Sequence, residues 1–118
     1  MPPKAKPEPK VEVPEGNAKK GKAVFETQCG VCHSMEAGDD KNAAAPHLNG
    51  IIGRKAGSGK FPYSNAMKKS GIVWSAKHLF MFIKGPGKYV AGTRMSFAGI
   101  SDETDRANLI AYLTDPNA

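Results

Sequence analysis

No stretch of this chain stays apolar for long. Nowhere does it approach the roughly 18 or more consecutive apolar residues that a membrane-spanning helix needs. Its N-terminus has neither the apolar centre of a signal peptide nor the arginine-rich pattern of a transit helix. A soluble chain without an export signal is expected. Apolar residues are also scarce overall: 40% of 118, with 8% aromatic and a single tryptophan. Thirteen glycines thin the available core further, so a domain of this size needs something besides apolar side chains to hold it. Acidic residues are the minority, 11 against 17 basic, for a formal charge of +6. The basic residues are scattered and accompany no nucleic-acid-binding motif, so nucleic acid is not an expected partner. Such a charge points to acidic proteins or an anionic membrane surface.

There is no internal repeat, and strand-like alternation is rare. Residues 1–15, MPPKAKPEPKVEVPE, hold five of the nine prolines, and their three lysines cancel their three glutamates. This segment is expected to be an extended or disordered tail that buries little. The net charge therefore belongs to one domain, residues 16–118. A first helix should begin after Asn17, with Gly21, Val24, Phe25 and Gln28 on one face. Ser64 is placed to cap a short helix ending at Gly71. Ser75 is placed to cap another, carrying Leu79, Phe80, Phe82 and Ile83 and stopped by the GPG of 85–87. Residues 88–99 read as an extended loop. Ser101 is then expected to cap a last helix, with Asp102 and Glu103 in its first turn and the Arg106 stem, Leu109, Ile110 and Leu113 on its apolar face. The result is an all-α domain of short helices and long loops, and loops of that length need an internal object to wrap.

Cysteine is scarce too, and the two present lie three apart in CGVCHSM, residues 29–35. A redox dithiol of the thioredoxin kind requires a βαβ setting that the helical pattern denies. A zinc site needs about four ligands, and His47 and His78 stand at no finger-like spacing. A disulfide across so short a loop stabilises little. The remaining reading is C-x-x-C-H, the attachment motif of a c-type haem. Thiols on adjacent turns, Cys29 and Cys32, reach the two vinyl groups on one side of a porphyrin. His33 is then carried under the ring to the iron. For the opposite position there are five methionines. Met1 is the start, Met35 is too near His33 to cross the ring, and Met67 and Met81 fall on expected helices as core filler. Met95, 62 residues after His33 in GTRMSFAG, lies in a glycine-flanked loop that permits close approach to a flat ligand. His47 and His78 are the rivals, each more readily an exposed titrating histidine.

These residues lead to a family. Over about residues 16–114 the chain resembles the mitochondrial class I c-type cytochromes. GNAKKGKAVF resembles their first helix, CGVCH their haem motif and DETDRANLIAYL their last helix. APHLNGIIGRKAG, YSNAMKKSGIVW and PGKYVAGTRMSFAG resemble the intervening loops. The resemblance implies the class I cytochrome c fold and a crossing of Gly21 and Phe25 with Leu109 and Tyr112. It implies that Pro46 offers its carbonyl to His33, that Arg54, Tyr63 and Trp74 hold the propionates, that Thr93 lies near one of them, and that Phe97 covers the exposed haem edge. The chain departs from the family pattern at Phe82 and Met67, where a tyrosine and an asparagine usually share a buried water. A drier pocket follows, since a buried water wants about three polar partners. It departs again at Gln28, Ala45, Gly87, Ala91, Ser101 and Asp102, leaving Lys22, Lys84, Lys88 and Arg94 as the candidate basic face.

The function so implied is that of a monomeric one-electron carrier, not an enzyme. It would move electrons from the cytochrome bc1 complex to cytochrome c oxidase in the mitochondrial intermembrane space, through a haem iron ligated by His33 and Met95. A peroxidase working at a vacated sixth position, and a signalling or lipid-binding role, are the alternatives.

Overall fold

The computed structural model describes residues 6–30, 32–36, 46–58, 63–93 and 97–117. Among these described residues five helices follow in chain order: α1 (Ala18–Gln28), α2 (Asn65–Lys68), α3 (Ala76–Lys84), α4 (Pro86–Tyr89) and α5 (Glu103–Thr114). Among the described residues the only strand-like pairing is a single antiparallel bridge between Lys55 and Val73.

Each of four helices starts where a side-chain oxygen satisfies an orphan amide. Asn17 accepts from the Lys20 N–H at 3.0 Å, Ser64 from Met67 at 3.1 Å and Ser75 from His78 at 3.2 Å. At α5 the expected cap is corrected by one residue: Asp102, not Ser101, accepts from the Asp105 N–H at 2.9 Å. A carboxylate there both caps the helix and faces the positive end of its dipole. A second correction concerns residues 86–89, expected to be loop. With its φ already near helical values, Pro86 starts α4 as its first residue.

The two longest helices cross at glycine. A methyl group on Gly21 would stand 1.8 Å from the Asn108 carbonyl oxygen, so α1 and α5 meet backbone to backbone. The Asn17 N–H donates to Asn108 Oδ1 at 2.8 Å, and the Phe25 and Tyr112 rings pack with centroids 5.5 Å apart. On α5, Asn108 and Tyr112 thus meet α1 directly, and Leu109 lies in the same buried cluster as Phe25. Helix α3 presents Leu79, Phe80, Phe82 and Ile83 to the core and is fastened to α5 by Arg106. That side chain is 2% exposed, so the guanidinium is buried along with the stem. Its Nη1 donates to the Phe80 carbonyl at 2.9 Å, and its guanidinium lies 4.1 Å above the Phe80 ring.

Two loop junctions position the interior. Around the Lys55–Val73 bridge, Trp74 N–H donates to Arg54 O at 3.0 Å and Gly53 N–H to Trp74 O at 2.7 Å. This holds Arg54 and Trp74 side by side. Near α5, Ile100 N–H donates to Ile83 O at 2.9 Å. Gly99 makes that approach possible: its φ is +111°, and a methyl group there would sit 2.2 Å from Lys84 O.

The tail is described from Lys6 onward. Residues 6–15 form no helix or strand but contact the rest of the domain. Val11 and Val13 pack against the core, and Lys6 and Glu8 make long-range contacts. None of residues 6–15 is fully buried, so these contacts lie on the surface of the domain.

Candidate functional site

The end of α1 shapes one wall of the site. Cys29 and Gly30 N–H groups both donate to Phe25 O, and Cys32 and His33 N–H groups then both donate to Cys29 O, at 3.0 and 2.8 Å. One further turn is thereby added, which sets the two cysteines a turn apart with His33 directly after them. Burial, reinforced by the neighbouring Cys32, pushes the Cys29 thiol up to about 11. A redox dithiol needs the opposite, a depressed thiol pKa. Among the described residues no three His, Cys, Asp or Glu side chains converge as a metal cluster, so the zinc reading gains nothing either.

His33 is oriented by one bond. Its Nδ1 stands 2.6 Å from the Pro46 carbonyl. A carbonyl can only accept, so Nδ1 carries the proton and Nε2 keeps its lone pair. Burial holds the ring's pKa below its usual value, against the opposing pull of the Pro46 bond and with help from the Arg54 charge. A neutral imidazole with a free Nε2 is the form that ligates a metal.

Cys29, Cys32 and His33 border a cavity of about 420 Å³. Pro46, Arg54, Tyr63, Trp74, Thr93 and Phe97 border the same cavity. Nine of the ten residues expected at a haem site thus meet around one space, from six separate stretches of chain. The tenth, Met95, lies outside the described residues, as do Arg94 and Ala45. Arg54 Nη2 donates to His47 O at 2.6 Å, which steadies its head at the cavity wall. Trp74 is 7% exposed and meets the Phe82 ring edge-on at 4.9 Å.

The sequence reading did not name Leu48, Ile51, Leu79, Ile83 or Leu113 as part of this wall, although they line it. Helical periodicity marks Leu79, Ile83 and Leu113 as facing inward, but not what they face. Met67, expected as core filler, is both buried and at the cavity. His78 is corrected outright. It is 1% exposed, with Nδ1 2.7 Å from the Tyr89 hydroxyl, and does not border the cavity.

The Cytochrome c family model matches residues 18–115, nearly the whole described domain. The chain belongs to the cytochrome c family. It is 58% identical to cytochrome c of Tetrahymena pyriformis over 106 residues, covering 90% of this chain and 94% of that one. It is 47% identical to cytochrome c of Theileria parva and 49% identical to that of Theileria annulata. Each of these matches spans 114 residues, 97% of this chain and 98% of the relative. The cofactor of a cytochrome c is a haem c, here bonded through Cys29 and Cys32, and the protein is a haem-based electron carrier for redox partners. The cavity fits that group. It is walled mainly by apolar side chains, and both cysteines and His33 border it. No helix among the described residues is long and apolar enough to cross a membrane.

Proposed function

We propose that this chain is a soluble one-electron carrier of the mitochondrial intermembrane space, taking electrons from the cytochrome bc1 complex and delivering them to cytochrome c oxidase. His33 and Met95 would hold its haem iron. The observation that carries this reading is the His33–Pro46 bond at 2.6 Å, made beside both cysteines at the cavity wall. It presets the tautomer, the ring direction and the ligand basicity, which is how outer-sphere groups tune a metal.

The haem iron supplies a reversible Fe(III)/Fe(II) couple, raised in potential by a thioether ligand. The chain's own residues do the rest. Cys29 and Cys32 fix the group covalently, so no affinity is lost on reduction. Leu48, Ile51, Leu79, Phe82 and Ile83 exclude water from its faces. Arg54, Tyr63 and Trp74 offer a charge and polar hydrogens for its carboxylates, and Phe97, half-buried, covers its exposed edge. With His33 and Met95 both holding the iron there would be no open site for substrate, which argues for a carrier and against a peroxidase. Lys22, Lys84 and Lys88 are exposed and suit transient contact with acidic partners through a small, wet interface.

A visible spectrum with a pyridine–haem assay tests this. Covalent haem with two saturated vinyl groups and a sulfur-to-iron charge-transfer band at neutral pH is expected. Met95→Ala should abolish the band and leave the haem attached. A band that survives in Met95→Ala would overturn the ligand assignment. Fast cyanide binding to the unaltered ferric protein would favour the peroxidase instead.

A further inference from the structure

The N-terminal tail grips the domain at three elements. Lys6 N–H donates to Gly71 O at 2.7 Å, just after α2. Lys6 Nζ lies 3.9 Å over the Tyr89 ring and donates to Tyr89 O at 3.3 Å, at the end of α4. Glu8 accepts from Ser75 Oγ at 3.0 Å, at the cap of α3. The same Tyr89 bonds through its hydroxyl to His78 of α3. Pro7 and Pro9 flank Glu8 and restrict the segment to extended shapes, which lowers the entropy lost when it docks. Burial and the nearby Glu8 carboxylate also raise the Tyr89 phenol above its usual pKa, consistent with the segment lying against it.

Helix α4 has only four residues and no side-chain cap. A single helical turn does not persist without tertiary support. Its support is the burial of Pro86 and Val90 and the grip on Tyr89. Beyond it, Thr93 N–H donates to Val90 O at 3.0 Å, and Thr93 borders the cavity. Two residues later in sequence comes Met95.

We propose that residues 6–13 form a strap that holds α4 against α3, with Lys6 on Tyr89 as its buckle, so that Lys6 is a positioning residue for the cavity wall entering the axial-methionine segment. The link to the axial position rests on the Met95 reading. The strap itself does not.

The test uses the full-length haem-loaded protein and two readouts. Amide hydrogen exchange at Lys88, Tyr89 and Val90, whose N–H groups donate to the carbonyls of Gly85, Gly85 and Pro86 at the start of α4, reports the strap. Imidazole affinity of the ferric protein reports the sixth position. Lys6→Ala removes one cation–π contact and one hydrogen bond, so exchange at these amides should rise roughly threefold to tenfold. Amides of α1 and α5 should not change, Lys6→Arg should restore the slow rates, and imidazole should bind more tightly by a similar factor. Unchanged exchange at 88–90, or a rise shared equally by α1 and α5, would overturn the strap. Faster exchange with unaltered imidazole affinity would overturn its link to the axial position. Loss of the Met95 reading shows separately, as a missing charge-transfer band in the unsubstituted protein.

Discussion

At the scale of single residues, Phe82 and Met67 together form one apolar part of the cavity wall. Both are buried and both border the cavity. Phe82 packs edge-on against Trp74 and lies 6.4 Å from the Tyr89 ring. Phe82 offers no hydrogen-bonding group to a water, and Met67 offers only a weakly accepting thioether. A hydroxyl placed there must leave bulk water for an apolar surround. Phe82→Tyr should therefore lower the unfolding free energy of the haem-loaded protein by about 1–3 kcal/mol in a denaturant titration. Undiminished stability, with an ordered water bonded to the new hydroxyl, would show that the pocket is not dry. Much at this scale was legible in the sequence because the chemistry is local: C-x-x-C-H is five consecutive residues. His78 was not. On α3 it looks like any polar residue of a helix, and only Tyr89, eleven positions on, turns it into a buried, partnered group. The burial of the Arg106 guanidinium, beyond its expected stem, escaped in the same way, since its carbonyl and ring partner Phe80 is 26 residues distant.

At the scale of elements, helix starts were readable because a cap is a contact across three residues, as at Asn17, Ser64 and Ser75. Asp102 displaced the expected Ser101 because both are competent caps, and the backbone course before α5, pinned by Ile100 on Ile83, chooses between them. Helix α4 was hidden because four residues carry no period, and its stability comes from neighbours. The strongest element contact is the α1–α5 crossing, and it depends on an absent atom. The atom that a methyl on Gly21 would strike belongs to the α5 backbone, 1.8 Å away, so no rotamer change can relieve the clash. Alanine would gain about 1 kcal/mol in helix propensity but force two helices apart around Phe25, Tyr112 and Asn108. Overpacking costs typically 1–3 kcal/mol, and more where only backbone can move. Gly21→Ala should lower stability by about 3 kcal/mol or more, read as a drop in melting temperature of the haem-loaded protein. Its haem spectrum should be intact below the transition, because Gly21 does not border the cavity. A melting temperature within a degree or two of the parent would mean that the crossing is not close-packed.

At the scale of the whole molecule, the relevant quantities are charge and size. The side chains sum to +6, and residues 1–15 contribute three lysines against three glutamates, hence nothing. The molecule measures 40 × 35 × 23 Å. At about 10 mM salt the screening length is about 30 Å, so an approaching acidic partner feels nearly the whole charge at once. At about 150 mM it is about 8 Å, and only the facing patch acts. Electron transfer to an acidic redox partner should accordingly slow by roughly an order of magnitude across that range, since steering of this kind is worth about 10-fold or more in association rate. The chain without residues 1–15 has the same net charge, so its rate should fall along the same salt curve, even though α4 has lost its strap. Stopped-flow mixing of both proteins with one partner over a salt series makes the comparison. A flat curve for the full chain would reject charge-guided docking. A different slope for the shortened chain would mean that the tail, although neutral in sum, itself takes part in docking to the partner.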